Sequence, residues 1–256
     1  MVALAAEHVG VRLGGRDVVR DVSMRLSAGT LVGVLGPNGA GKSSLMKALA
    51  GLLPHSGRVL LDGVDVAGLA RSETARKLAY LPQGQTLHWP LAVERLVGLG
   101  RLPHLAPLSA IGPADRAAIE RALQRADVAH LAGRAATELS GGERARVMLA
   151  RALAVEAPAL LVDEPLANLD PAHQIAGMEL LRAEADAGVL VLAALHDLPL
   201  AYRHCDHILL LHEGQLAAEG PAETALTPET LARVYGISAS FGSPGERLLI
   251  PRERIR

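Results

Sequence analysis

A glycine-rich segment near the start of the chain has residues suited to binding a phosphate chain. It fits the pattern G-x-x-x-x-G-K-[ST] and reads Gly36-Pro37-Asn38-Gly39-Ala40-Gly41-Lys42-Ser43-Ser44. An apolar stretch (31–35) precedes it and a stretch of helical character (45–50) follows, so the glycines fall at a strand-to-helix turn. Backbone N–H groups and a helix N-terminus attract phosphate there. Lys42 is expected to reach the outer phosphates, and Ser43 to ligate Mg²⁺. A structural turn with an incidental lysine is the alternative, but nucleotide binding fits the strand and helix context better.

Two adjacent carboxylates provide a second element of the same chemistry. Asp163 and Glu164 follow an apolar run at 160–162, which reads as a buried strand. Because an unpartnered buried charge is costly, a purely structural role for both is a poor explanation. Asp163 is expected to hold Mg²⁺ through water, and Glu164 to act as the base or polariser of an attacking water. An acidic boundary between a strand and a loop would be the alternative if the phosphate loop were absent.

A Leu-Ser-Gly-Gly-Glu segment at 139–143 precedes a predicted helix. Ser140 and Glu143 have the spacing of a capping box, in which each side chain bonds the other residue's backbone N–H. Ser140, Gly141 and Gly142 could also form a second anion site at the helix N-terminus. One chain rarely needs two such sites for one nucleotide unless a second copy brings the other.

The elements that would position these residues alternate between strand and helix. Residues 2–35 and 56–66 read as strands with glycine turns, whereas continuous apolar runs at 160–162, 189–195 and 208–211 suit a parallel sheet covered on both faces. Helical periodicity dominates from 86 to 156. We predict an α/β fold with a parallel sheet, an N-terminal antiparallel β subdomain and an inserted α-helical subdomain. The expected division is a core of 1–85 and 157–220, a helical subdomain of 86–156 and a C-terminal extension of 221–256.

The composition narrows the class of protein. With a net charge of −1 over 256 residues, bulk charge gives no reason to expect a nucleic-acid partner. The single cysteine, Cys205, cannot form an internal disulfide, which fits a reducing compartment. The N-terminus does not read as a signal peptide, and apolar runs are shorter than a bilayer span. A soluble, cytoplasmic protein is expected. The cluster His204-Cys205-Asp206-His207 is interpreted as a polar helix end rather than a metal site.

The order of these motifs, together with Gln83 after one predicted strand and His196 after another, resembles the ATP-binding subunit of ABC transporters. The resemblance covers residues 2 to about 237. It implies that two copies pair head to tail, with each ATP between the phosphate loop of one and residues 140–143 of the other. Gln83 would reach Mg²⁺ or water and sense the membrane partner. His196 would contact the γ-phosphate and position Glu164.

The same resemblance bears on two further positions. Asn168-Leu169-Asp170 matches the segment that crosses to the opposite nucleotide site, so Asp170 is assigned to nucleotide binding. Leu13 stands where the family usually places an aromatic residue against adenine. The base would therefore rest on apolar contact.

Four further sequence segments, less specific than the motifs above, resemble those of the subunits that drive import of iron–siderophore complexes, haem and cobalamin. They are the segments 93–104, 170–174, 195–198 and 226–231. The resemblance implies transmembrane permease subunits as partners, an extracytoplasmic binding protein as an indirect one, and a peripheral location on the inner face of the membrane. The region from Gln83 to His104, including Trp89, is our hypothesis for the permease contact, although Trp89 could instead pack locally. The alternatives are an exporter subunit, a non-transport ABC ATPase and a P-loop kinase.

Overall fold

The computed structural model describes residues 3–84, 89–106, 109–167, 169–243 and 246–255. Its strands are β1 (Ala3–Leu13), β2 (Arg16–Ser27), β3 (Leu31–Leu35), β4 (Ser56–Leu61), β5 (Val64–Asp65), β6 (Leu78–Leu81), β7 (Ala159–Asp163), β8 (Leu190–Ala194), β9 (His207–His212), β10 (Gln215–Pro221), β11 (Ile237–Phe241) and β12 (Leu249–Arg254). Its α-helices are α1 (Lys42–Leu49), α2 (Arg71–Lys77), α3 (Val93–Gly98), α4 (Pro113–Arg125), α5 (Gly141–Leu153), α6 (Pro171–Asp186), α7 (Leu198–His204), α8 (Ala222–Ala225) and α9 (Pro228–Tyr235). Within these described residues, no helix is long and apolar enough to span a membrane.

A six-stranded sheet in the order β10-β9-β3-β8-β7-β6 forms the centre of the molecule. The strands from β9 to β6 are parallel, and β10 pairs antiparallel with β9. Every residue of β3, β7 and β8 is buried, as expected for parallel strands covered on both faces. Alternate residues of β3 enter opposite cores: Leu31 and Leu35 pack on one side, and Val32 and Val34 on the other. The predicted α/β core is confirmed.

An antiparallel sheet in the order β2-β1-β4-β5 covers one face of the central sheet. β1 and β2 form a hairpin whose turn residues, Gly14 and Gly15, both have positive φ. That backbone twist suits a tight hairpin and favours glycine at both positions. The inward side chains of this sheet, such as Leu4 and Val22, share a core with α1 and with β3. The predicted antiparallel β subdomain is confirmed.

Three helices, α3, α4 and α5, pack against one another between β6 and β7 in the sequence. α3 continues as a 3₁₀ segment over Leu99–His104. α5 begins at Gly141, two residues before the start at 143 expected from periodicity, because Ser140 caps it. The helical character of this region is as predicted, while its exact boundaries as a subdomain, 86–156, stay a prediction.

The predicted C-terminal extension, from residue 221 onward, packs against the core. It forms α8, α9 and an antiparallel pair, β11 and β12. Leu226, Leu231 and Leu249 are almost fully buried in the main core cluster. Phe241 meets Tyr202 of α7 edge to face, with ring centroids 5.6 Å apart. This C-terminal segment is therefore an integral layer of the fold.

Candidate functional site

The glycine-rich loop connects the C-terminal end of β3 to the start of α1. Gly36 and Gly41 have φ of +146° and +100°. A Cβ at Gly36 would collide with the carbonyl oxygen of Leu211, and one at Gly41 with that of Val18. Glycine is required at both positions because the backbone conformation and the close approach of these carbonyl groups each exclude a side chain.

The side chain of Lys42 is buried beneath this loop. Its Nζ donates to the carbonyl oxygens of Gly36 at 2.8 Å and Pro37 at 3.3 Å. Desolvation lowers the pKa of Lys42, and the nearby carboxylates of Glu164 and Asp163 partly oppose that shift. A cation held in a loop lined by N–H groups is well placed to attract the terminal phosphates of a nucleotide.

Asp163, at the end of β7, lies within hydrogen-bond distance of two hydroxyl groups. Ser43 Oγ donates to its Oδ1 at 3.1 Å, and Tyr80 Oη donates to its Oδ2 at 3.3 Å. Burial raises the pKa of Asp163, although both hydrogen bonds oppose the shift. Burial, together with the Asp163 charge, also raises the pKa of Tyr80. Serine and aspartate oxygens are hard ligands of the type that Mg²⁺ prefers, so this pair fits the expected metal position.

Glu164 directly follows β7, at the edge of the sheet where the parallel strands β6, β7 and β8 end. It adopts a left-handed conformation with φ of +51°, and its N–H donates to Ala194 O at 3.2 Å. Gln83 Nε2 donates to one oxygen of the Glu164 carboxylate. His196 Nε2 contacts the other oxygen. The structure therefore brings both Gln83 and His196 against the carboxylate of Glu164.

The phosphate loop, Glu164 and its two partners line one cleft of about 580 Å³. The lining comprises Val18, Asn38, Gly39, Ala40, Gly41, Lys42, Ser43, Ser44, Gln83, Glu164 and His196. The residues come from segments far apart in sequence, yet they surround the space next to the phosphate loop. A nucleotide phosphate chain fits the charge and backbone geometry of this cleft.

Two residues near the site were missed from the sequence. Tyr80 could have been found from pairing, because β6 runs parallel to β7 and brings the Tyr80 hydroxyl beside Asp163. Val18 lines the cleft from β2. Leu13, the predicted adenine contact, ends β1 with 42% of its surface exposed and is not among the lining residues. The adenine role of Leu13 stays a prediction.

The second predicted anion site is separate from the cleft. Ser140 caps α5, and its capping box with Glu143 is confirmed: Ser140 N donates to Glu143 Oε2 at 2.8 Å, and Glu143 N donates to Ser140 Oγ at 3.3 Å. Asp170 caps α6. The cleft lining does not include Ser140, Gly141, Gly142 or Asp170. Asn168, in the predicted crossing segment, lies outside the described residues.

In the cluster at 204–207, Asp206 has structural partners. Asp206 accepts a hydrogen bond from Leu31 N at 2.9 Å and pairs with Arg182. Cys205 is fully buried, and its burial raises the pKa of the thiol to about 12. These contacts fit the interpretation of this segment as the end of α7 before β9.

Comparison with known proteins agrees with the architecture. The family model described as ABC transporter matches residues 19–167. The hemin import ATP-binding protein HmuV of Pseudomonas entomophila is 48% identical over 250 residues, covering 95% of this chain and 96% of that protein. The cobalamin import ATP-binding protein BtuD of Halobacterium salinarum is 42% identical over 94% of this chain and 61% of its own length.

Solved structures show the same fold. An ABC transporter of the metal-chelate type in an inward-facing conformation aligns with a TM-score of 0.84 and 25% identity, over 99% of this chain and 98% of that one. The ADP conformation of MJ1267, an ATP-binding cassette, aligns with a TM-score of 0.82 and 24% identity, over 92% and 97%. Together with the phosphate loop and the cleft, these matches show that the chain belongs to the ABC transporter family, as an ATP-binding subunit whose ATP hydrolysis is coupled to transport.

Proposed function

We propose that this subunit powers the uptake of haem. The observation that carries this proposal is that relatives named for hemin import are 43–48% identical and cover nearly the whole chain. A cobalamin-import relative at 42% identity keeps cobalamin as the second candidate, and iron–siderophore complexes belong to the same predicted group. Substrate selection would lie with the permease and an extracytoplasmic binding protein, so no residue of this chain would contact the substrate.

The cleft supports a division of labour among its residues. The loop from Gly36 to Ser44, with Lys42, would hold the phosphates of ATP. Ser43 would ligate Mg²⁺, with Asp163 holding it through water and Gln83 reaching the ion or the water. Bound Mg²⁺ would neutralise charge on the phosphate oxygens.

Glu164 would polarise the attacking water, and His196 would contact the γ-phosphate and orient Glu164. The contacts of Gln83 and His196 with opposite oxygens of the Glu164 carboxylate support this arrangement, because they fix the direction of its lone pairs. Hydrolysis would then depend on positioning and charge stabilisation more than on covalent chemistry.

The cleft would form only half of the complete nucleotide site. Gly141 has no positive φ, and a Cβ added to it would meet nothing within 4 Å. Among the described residues of its own chain, nothing therefore requires glycine there. A phosphate brought close to the start of α5 by a second copy supplies a reason, since the helix N-terminus attracts anions. Two copies would thus enclose two ATP molecules, each between a phosphate loop and the partner's residues 140–143.

Glu164→Gln tests both the hydrolytic role and the dimer. The variant should bind ATP and remain as a dimer, while its hydrolysis rate falls by roughly 10²- to 10⁴-fold because the base is lost. Light scattering with and without ATP and Mg²⁺ reports the mass, and phosphate release reports hydrolysis. Lys42→Ala is the control that should neither bind ATP nor dimerise. Hydrolysis at the parental rate would show that Glu164 is not the base. A monomer at saturating ATP would refute the sandwich, in which two copies enclose two ATP molecules.

Transport would require transmembrane permease subunits, which would hold this subunit on the inner face of the membrane. The substrate is tested by reconstituting the subunit with its permease in proteoliposomes. Haem-loaded binding protein should stimulate ATP hydrolysis more strongly than the same protein offered cobalamin or a ferric siderophore. Stimulation by cobalamin alone would transfer the proposal to the second candidate.

A further inference from the structure

The imidazole of His173, in the first turn of α6, joins two segments that lie outside the cleft. Its Nδ1 is 2.6 Å from Asp170 Oδ2, and its backbone N donates to Asp170 Oδ1 at 3.0 Å. The other edge of the ring lies against Gly142, in the first turn of α5. One side chain therefore contacts both the Ser-Gly-Gly turn (140–142) and Asp170 of the predicted crossing segment (168–170).

The approach of the ring to α5 explains why residue 142 is glycine. A Cβ at Gly142 would lie 2.7 Å from Cδ2 and 2.8 Å from Nε2 of His173, closer than packed atoms permit. The φ of Gly142 is not positive, so backbone conformation makes no such demand. Gly141, by contrast, has open space at its Cβ position. The ring of His173 thus gives a reason for glycine at position 142 but not at position 141.

The orientation of the ring follows from the charge of Asp170. The backbone hydrogen bond from His173, and then the bond from its side chain, lower the pKa of Asp170, which is therefore ionised at neutral pH. A carboxylate only accepts hydrogen bonds, so Nδ1 must carry the proton. Asp170 thereby fixes the ring plane, and the ring carries that constraint to Gly142.

We propose that His173 is a positioning residue that holds Gly142 and Asp170 in one fixed arrangement, so that both segments meet the second copy together. This inference rests on the proposed two-copy site. Without the ring, the Ser-Gly-Gly turn and the crossing segment would approach the partner independently. The ordering cost of aligning them would then fall on dimer formation. Binding of ATP to the phosphate loop of one chain does not involve either segment.

The first experiment measures ATP-driven dimerisation in the Glu164→Gln background, which serves as the reference. His173→Ala should raise the dimer dissociation constant about tenfold, a change equal to the loss of one good contact. Affinity of the monomer for a fluorescent ATP analogue should stay within about twofold of the reference. His173→Asn, which can still donate to Asp170, should recover part of the loss. Glu179→Ala, an exposed substitution on the same helix, is the matched control and should behave as the reference.

Hydrolysis with Glu164 intact separates positioning from chemistry. His173→Ala should raise the ATP concentration for half-maximal hydrolysis about tenfold, while kcat at saturating ATP and protein stays within about twofold. If the Glu164→Gln reference dimerises and His173→Ala in that background dimerises equally well, the role of His173 is refuted but the two-copy site is not. A reference that stays monomeric would refute the sandwich and this inference with it.

A double-mutant cycle tests the contact itself, measured on the nucleotide-free protein. Gly142→Ala should lower the thermal midpoint in the parent, and clearly less in the His173→Ala background, because the obstructing ring is gone. An equal loss in both backgrounds would show that the ring is not what requires glycine at position 142, and would overturn the coupling.

Discussion

The carboxylate of Asp163 is almost fully buried, beside the hydroxyls of Ser43 and Tyr80. Its position suits a cation, but without one the buried charge opposes folding. The rise in its pKa expresses this cost, because desolvation disfavours the ionised form. At the scale of one residue, the buried carboxylate therefore lowers the stability of the protein at a position that suits a cation.

Asp163→Asn should stabilise the nucleotide-free protein by about 1 kcal/mol at neutral pH, because it removes a buried charge while keeping polar contacts with both hydroxyls. The same change should abolish Mg²⁺-dependent ATP hydrolysis. Chemical denaturation measures the stability, and phosphate release the activity. A variant less stable than the parent at pH 7 would contradict the argument.

The pH dependence of this difference has a definite sign. The pKa of Asp163 is higher in the folded state than in the unfolded state. Between the ordinary aspartate pKa and the raised one, the folded state holds the proton and the unfolded state has lost it. The contribution of Asp163 to the free energy of unfolding therefore falls as pH rises through that window. The advantage of Asp163→Asn over the parent should grow through the same window and then stay constant.

At the scale of elements, a buried arginine connects the helices of the inserted region. Arg101, in the 3₁₀ segment after α3, is 7% exposed. Its Nε pairs with Asp115 of α4 at 3.0 Å, and its Nη1 donates to Ala154 O, at the end of α5, at 2.8 Å. The guanidinium thus satisfies a helix-terminal carbonyl and a partly buried carboxylate.

Arg101→Ala should destabilise the protein by about 3 kcal/mol, since removing one partner of a buried ion pair leaves the other groups uncompensated. Urea denaturation measures the loss. Arg116→Ala is the matched control: this exposed arginine on α4 bonds only the Ile111 carbonyl among the described residues, so its loss should cost about 0.5 kcal/mol or less. Equal costs for the two substitutions would contradict the structural role of Arg101.

At the scale of the whole molecule, the region that we assign to the permease contact exposes large apolar side chains. Trp89 is 75% exposed, and Leu102 in the same region is 59% exposed. An exposed tryptophan favours the hypothesis of a permease contact over local packing, because large exposed apolar groups mark interaction sites. Gln83, which contacts Glu164, begins the same stretch of chain. We therefore expect contact with the permease to affect the polarisation of water by Glu164.

Trp89→Ala should reduce substrate transport by about tenfold or more, because tryptophan is a frequent interface hot spot. ATP hydrolysis by the isolated subunit should be unchanged. Proteoliposome uptake and phosphate release measure the two effects. Leu52→Ala, also exposed at 62% but located after α1, is the control and should leave both unchanged. Unchanged transport by Trp89→Ala would exclude the contact.

Local spacing in the sequence was enough to predict the phosphate loop, the carboxylates at 163 and 164, the Ser140 capping box and most of the helices and strands. Each of these depends on residues within a few positions of one another, where backbone preference and periodicity act directly. The parallel strands could be recognised for the same reason, since burial on both faces leaves a continuous apolar run.

Only the tertiary structure decided which strands are neighbours, and hence which side chains meet. The order β8-β7-β6 brings His196, Glu164 and Tyr80 together from the ends of three strands. Packing of apolar side chains distant in sequence sets that order, and it also fixes the C-terminal segment on the core. The contact between the ring of His173 and Gly142 is also decided by the tertiary structure. The sequence shows the two residues, but only the approach of α6 to α5 brings them together.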